Sequence, residues 1–182
     1  MLPAQARAQA AADLAQLVKD CGNHLNTGFL STPYLCQVLA EHGYVEEAQN
    51  VLLQEDCPGW LYAVKKGATT IWENWDGIDT DGKVKASLNH YSYGAIAGWL
   101  IRFVCGIRQA GQEITLQPVV LPRLGYAQAA YDSPAGRIES AWQCQKDGRV
   151  LYTLTIPPNT HARFLAQGQE LHLKPGKHTI LL

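Results

Sequence analysis

The sequence predicts an α+β chain in which helices come first and a small antiparallel β-sandwich follows. Three observations carry this. Apolar residues recur at helical spacing through the first part; after Gly111 they alternate with a period of two; and clusters of Gly, Pro, Asn and Asp punctuate the second part at short intervals. The boundary is expected near Gln109 to Gln112, with residues 1–110 helical and 111–182 forming the sandwich.

Ala4 to Asp20 is built from strong helix formers, with Leu14, Leu17 and Val18 on one side. Cys21-Gly22-Asn23 should stop it, Gly22 supplying the left-handed residue. Ser31-Thr32-Pro33 reads as the next start, an N-cap followed by proline at the first helical position. Tyr34, Leu35, Val38 and Leu39 give this helix its apolar face, and His42-Gly43 ends it. Tyr44 to Leu53 is a third short helix, and the tight turn before it makes an antiparallel pair. Such hairpins of short amphipathic helices build α-toroids and helical repeats. Glu55 to Asp81 is rich in Gly, Asp and Trp, with a short apolar segment at Thr69 to Trp72. Ser92 to Ile107 is the most hydrophobic helix, with Ile96, Trp99, Leu100, Phe103, Val104 and Ile107 at helical spacing, so burial on more than one side is expected.

Seven strands are expected after Gly111: Glu113 to Val120, Tyr126 to Tyr131, Arg137 to Gln143, Val150 to Ile156, His161 to Ala166, Glu170 to Leu173 and His178 to Leu182. Asp132 to Gly136, Lys146-Asp147-Gly148, Pro157-Pro158-Asn159 and Pro175-Gly176 supply the turns.

Composition removes several function classes. A formal net charge of −1 offers no electrostatic footprint for nucleic acid or an anionic membrane surface. The longest apolar run, Ala95 to Val104, is broken by Arg102 and too short to span a bilayer. The six histidines are dispersed and the five cysteines include no CxxC pair, so neither a metal nor any other cofactor is expected. Free thiols and an N-terminus without a secretory pattern place the chain in the cytoplasm.

The segment that carries chemistry is Gly67-Ala68-Thr69-Thr70-Ile71-Trp72-Glu73-Asn74-Trp75-Asp76-Gly77. It sets one carboxylate, Glu73, between two indoles. A flat apolar indole face stacks on the C–H face of a sugar ring, and a carboxylate held beside it can orient water at an anomeric carbon. Taken alone the motif also fits Trp72 and Trp75 as core residues with Glu73 in a bridging role. About one loop later, Ser87-Leu88-Asn89-His90-Tyr91-Ser92-Tyr93-Gly94 opens the most buried helix. Its polar groups could bind hydroxyls, or Asn89 could cap the helix and His90 pack.

Three blocks give the chain a specific resemblance: Thr27-Gly28-Phe29-Leu30-Ser31-Thr32-Pro33-Tyr34-Leu35, the Gly67 to Gly77 segment, and Ser87-Leu88-Asn89-His90-Tyr91 running into Gly94. In order and spacing they resemble the C-terminal part of family 78 glycoside hydrolases, the α-L-rhamnosidases. Tyr131-Asp132-Ser133-Pro134 and Ile156-Pro157-Pro158-Asn159-Thr160 resemble the β-domain that closes those enzymes. The resemblance implies that the helices come from an incomplete (α/α)6 barrel. It implies inverting hydrolysis of terminal α-L-rhamnosyl groups on small molecules or oligosaccharides, with Glu73 as the general base. By the same resemblance His90 contacts the sugar, and Trp72, Trp75 and Asn89 lie near the pocket.

Inversion also needs a protonated carboxyl across the ring. In this family it belongs to an Asp-Glu-Arg-type block, and no such block occurs here; Asp76, Asp79 and Asp81 share a loop with Glu73. Four to five helices precede Gly111 where the barrel needs twelve. The expectation is therefore a fragment or truncated gene product that is inactive alone and self-associates through uncovered helices, with Trp99 and Phe103 in the covered surface. The competing readings are a non-catalytic carbohydrate-binding protein and a structural remnant that completes a barrel supplied by another polypeptide.

Overall fold

The computed structural model describes residues 3–182, which divide into two compact units, the first ending at Gly98 and the second running from Trp99 to Leu182. The first unit opens with α1 (Ala4–Asp20), followed by α2 (Thr32–Glu41), α3 (Val45–Leu52) and α4 (Trp60–Lys65). α1 stops as its residues dictate: Gly22 and Asn23 take positive φ, and the Asn23 amide returns to the Val18 carbonyl at 2.8 Å. Its buried face is Ala11, Ala15 and Val18, whereas Leu17 is 59% exposed, contrary to the expected Leu14–Leu17–Val18 side. Positions 11, 15 and 18 share one stripe of a 3.6-residue helix and Leu17 lies off it.

α2 and α3 form the expected hairpin. The Tyr44 amide closes on the Leu39 carbonyl at 2.8 Å, and Leu35, Leu39, Ala48 and Val51 are buried. Lys19 of α1 reaches Glu47 of α3 at 2.7 Å. Ser31 does not cap α2 with its side chain. The start is instead held by Thr32, whose hydroxyl donates to the Gly28 carbonyl at 2.8 Å and lies 2.8 Å from the Thr27 hydroxyl. The one-and-a-half-turn α4 is an element the sequence reading did not find, its signal lost among the Gly, Asp and Trp residues around it.

The segment expected as one helix from Ser92 to Ile107 is a composite. It runs as a 3₁₀ turn (Ser92–Ala95), one α turn (α5, Ile96–Trp99) and a π turn (Leu100–Val104) that Cys105 closes by donating to the Leu100 carbonyl at 2.8 Å. Contrary to the expectation of a covered interface, Trp99 and Phe103 are 3% and 4% exposed and offer no surface to a partner. Their apolar faces are already covered.

Strand structure begins earlier than expected, at β1 (Ile107–Ala110), within the span expected to end the helix and hold the boundary. β2 (Glu113–Leu116), β3 (Tyr126–Ser133), β4 (Gly136–Cys144), β5 (Val150–Ile156), β6 (Ala162–Ala166), β7 (Gln169–Leu173) and β8 (Gly176–Leu181) follow. They form two four-stranded sheets, ordered β1-β2-β6-β7 and β3-β4-β5-β8. Pairing is antiparallel except between β2 and β6, which run parallel with Ile114 opposite Ala162. That crossover departs from a purely antiparallel sandwich, and period-two alternation cannot reveal it. Val150, Tyr152, Leu154 and Ile156 on one sheet and Ile114, Leu116 and Phe164 on the other are buried, and Tyr152 meets Phe164 edge-on at 5.1 Å. The two sheets thus share one core.

Candidate functional site

Residues 70–91 fold back on themselves as an irregular hairpin, and this brings Glu73 and His90 onto neighbouring arms. The His90 amide donates to the Ile71 carbonyl at 2.8 Å, and the Thr70 hydroxyl donates to the Leu88 carbonyl. The Glu73 amide donates to the Ser87 carbonyl at 3.0 Å, and the Ser87 amide donates to Glu73 Oε2 at 3.2 Å. Further out, the Lys85 amide donates to the Gly77 carbonyl at 3.0 Å and Ile78 bridges Val84. At the tip, Asp79 Oδ1 accepts from the amides of Asp81 and Lys83 at 3.0 and 2.9 Å, the local hydrogen bonding that suits Asp to turns.

Two further carboxylates in the segment therefore have structural work. Asp79 shapes the tip. Asp76 pairs with Lys85 at 2.5 Å across the hairpin, and that hydrogen bond holds its carboxyl below the usual carboxylate range. The Tyr62 hydroxyl of α4 donates to the Ile78 carbonyl at 2.9 Å, anchoring the hairpin to the helices. Glu73 is half-buried, and its carboxylate remains beside the Ser87 amide.

The two indoles differ in what surrounds them. Trp72 is 4% exposed, and Gly77 packs so closely on it that a Cβ there would stand 3.1 Å from its ring. Trp75 is half-buried. It stacks on Tyr93 at 3.7 Å, meets Trp60 edge-on at 5.3 Å and donates its indole N–H to the Thr27 carbonyl at 3.3 Å. Tyr93 in turn lies 5.2 Å from Phe29, and Phe29 stacks on His90 at 4.8 Å with an interplanar angle of 19°. Tyr91 stacks on His90 at 5.1 Å. A chain of rings, Trp60–Trp75–Tyr93–Phe29–His90–Tyr91, thus runs from α4 to the histidine, each contact worth about 0.5–1.5 kcal/mol beyond area burial. Asn89 is exposed, and its backbone is tied to the Ser87 hydroxyl on both sides, the amide donating and the carbonyl accepting at 3.2 Å.

The sequence reading assigned no role to Phe29 or Tyr93. Both lie inside the blocks that carried the resemblance, which was the available signal. Among the described residues no group of three or more His, Cys, Asp and Glu side chains is arranged to hold a metal.

Residues 1–104 match the model of the bacterial α-L-rhamnosidase six-hairpin glycosidase domain, and residues 106–180 that of the bacterial α-L-rhamnosidase C-terminal domain. The chain belongs to the bacterial α-L-rhamnosidase family. It is 38% identical over 170 residues to an α-L-rhamnosidase of Streptomyces avermitilis, a match that takes in 89% of this chain and 16% of that protein. To an α-L-rhamnosidase of Formosa agariphila it is 36% identical over 169 residues, 89% of this chain and 18% of that one. The crystal structure of the Streptomyces avermitilis α-L-rhamnosidase complexed with L-rhamnose superposes with a TM-score of 0.91 at 30% identity, over 100% of this chain and 20% of the other. The native Aspergillus terreus α-L-rhamnosidase superposes with a TM-score of 0.93 at 26% identity, over 99% of this chain and 22% of the other. The chain thus spans about a sixth of the length of the curated rhamnosidases it matches.

Proposed function

We propose that this chain carries the general-base half of an inverting α-L-rhamnosidase centre, with Glu73 as the base and His90 as a sugar contact. The observation that supports it most is the hairpin pairing that holds a half-buried Glu73 carboxylate against the Ser87 amide, on the arm next to His90, in a chain of this family. A carboxylate fixed by one backbone donor keeps its remaining lone pairs for water, and deprotonating that water as it attacks the anomeric carbon is what inversion asks of a base. The proton donor would come from barrel segments other than these residues, since Asp76 and Asp79 are engaged within the hairpin. The chain by itself should therefore not turn over an aryl α-L-rhamnoside. Supplying the remaining barrel in trans should produce turnover that Glu73→Gln abolishes. Hydrolysis by the isolated chain would overturn this assignment.

Cytoplasmic residence rests on five free cysteines. Self-association would use the outward apolar side chains of the helices, Leu17, Tyr34 and Val64, and a clean monomer in sedimentation would exclude it.

A further inference from the structure

The outward face of the β3-β4-β5-β8 sheet plays no part in the base-and-histidine reading, and it is not flat. Two adjoining hollows, of about 360 and about 320 Å³, lie on it and share Gln128, Ala141 and Thr153. Strand register explains their shape. Ala141 stands opposite Gln128 on one side and Thr153 on the other, so short side chains make the floor. The neighbouring row across the strands carries Tyr126, Gln143 and Leu151, and the row on the other side carries Glu139, Thr155 and Lys177. Such rows stand about 7 Å apart along a strand, and four strands span about 14 Å. The result is a groove across the sheet with unlike walls. Tyr126 is 65% exposed and offers a flat apolar ring. On the facing wall Glu139 accepts from Arg137 at 3.0 Å and from the Thr155 hydroxyl at 2.9 Å, and Arg137 also pairs with Asp132. Among the described residues, the Gln128 amide and the Lys177 ammonium form no hydrogen bond with the chain.

We propose that this groove binds a neutral oligosaccharide of two or more rings, as a non-catalytic site formed by residues other than Glu73 and His90. A pyranose has an apolar C–H face and a rim of hydroxyls, the same division that separates the Tyr126 wall from the Glu139 wall. Hydroxyls both donate and accept, and the groove supplies both kinds of partner: Gln128 and Lys177 donate, Glu139 and Thr153 accept. The charges of Arg137 and Lys177 balance those of Asp132 and Glu139. An anion would therefore meet the Glu139 carboxylate, and a wholly apolar segment would strip water from the charged wall without replacing it. A sugar needs no such stripping, because its hydroxyls and bridging waters take over the hydrogen bonds. Binding at so open a groove is weak, with a Kd on the order of 1 mM.

The test is amide-resolved NMR titration of the whole chain with rutinose, a neutral rhamnose–glucose disaccharide, and with digalacturonic acid as the charged comparison. Saturable shifts are expected at the Gln128, Ala141 and Thr153 amides with rutinose, and weaker binding with the acid. Tyr126→Ala should weaken rutinose about tenfold. Ala141→Gln, which fills the floor from the solvent side, should abolish the shifts. Both variants should keep the thermal midpoint, since neither side chain belongs to the core. Rutinose shifts confined to the hairpin of Glu73 and His90 would overturn the groove and leave the catalytic reading standing. Tighter binding of digalacturonic acid would overturn the neutral ligand in favour of an anion. A dimer in sedimentation that Ala141→Gln dissolves would give the face to a second copy of the chain instead. Groove amides that do not move at disaccharide concentrations well above the expected Kd would overturn the proposal outright.

Discussion

Glu73 and Ser87 are joined by two hydrogen bonds that use different groups of the glutamate: its amide donates to the Ser87 carbonyl at 3.0 Å, and its carboxylate accepts from the Ser87 amide at 3.2 Å. The backbone bond sets where the Cα lies, and the side-chain bond sets which way the carboxylate turns. Positioning of the proposed base is thus a property of the hairpin.

Glu73→Gln keeps an acceptor for the Ser87 amide while removing the basic oxygen. In the barrel completed in trans, turnover of an aryl α-L-rhamnoside should fall by roughly 10²–10⁴-fold, with the thermal midpoint unchanged. A parallel loss of stability would show that the carboxylate is structural.

The Asp76–Lys85 pair should clamp the hairpin across neutral pH. The Lys85 hydrogen bond depresses the Asp76 carboxyl, so its contribution is full above the unfolded carboxylate value and is lost as pH falls through the lower folded one. The same bond raises Lys85, whose contribution is full below the ordinary ammonium value and is lost as pH rises through the raised one. Exchange of the Lys85 amide hydrogen, corrected for its intrinsic pH dependence, should therefore show weakened protection below about pH 4. Asp76→Asn should remove that acid step, and molar salt should shrink it because both side chains are partly exposed.

Gly106 has φ near +74°, and a Cβ there would stand 2.2 Å from the Gln117 carbonyl carbon. The turn into β1 also needs the Gln117 amide on the Gly106 carbonyl, at 2.9 Å. Gly106→Ala should therefore destabilise the β unit by about 4 kcal/mol or more, read from the urea midpoint. Gly77→Ala should cost less, because its obstacle is the Trp72 side chain at 3.1 Å rather than backbone.

Trp142 is buried and its indole donates to the Val104 carbonyl at 2.7 Å. Trp142→Phe keeps an aromatic ring but leaves that carbonyl without its donor, a loss of about 1–3 kcal/mol in denaturant unfolding.

Thiol labelling should separate the cysteines by burial. Desolvation pushes Cys36 up to about 12 and Cys105 up to about 11, so neither forms thiolate at neutral pH. Cys21 is exposed and should react with an aromatic disulfide reagent within the folded chain. Labelling of Cys36 before unfolding would contradict the α2–α3 packing.

Most of the fold was readable from local pattern. Ala4–Asp20 and Val150–Ile156 run over the residues expected, because helix propensity in one and strict alternation in the other are set within a few residues. The π turn at Leu100–Val104, the parallel β2–β6 pair and the short α4 were not legible, since each depends on what packs against it. The same division runs through the site. By itself the sequence determined the candidates for the chemistry: a glutamate between two tryptophans and a histidine one loop later. Only the tertiary structure decided that Trp72 is buried under Gly77, that Trp75 is propped on Tyr93, and that Phe29 is the ring against His90. The physical reason is range. Backbone propensity and alternation act between near neighbours, whereas the stacking that orients His90 joins residues sixty positions apart and exists only once the hairpin and the helices have packed.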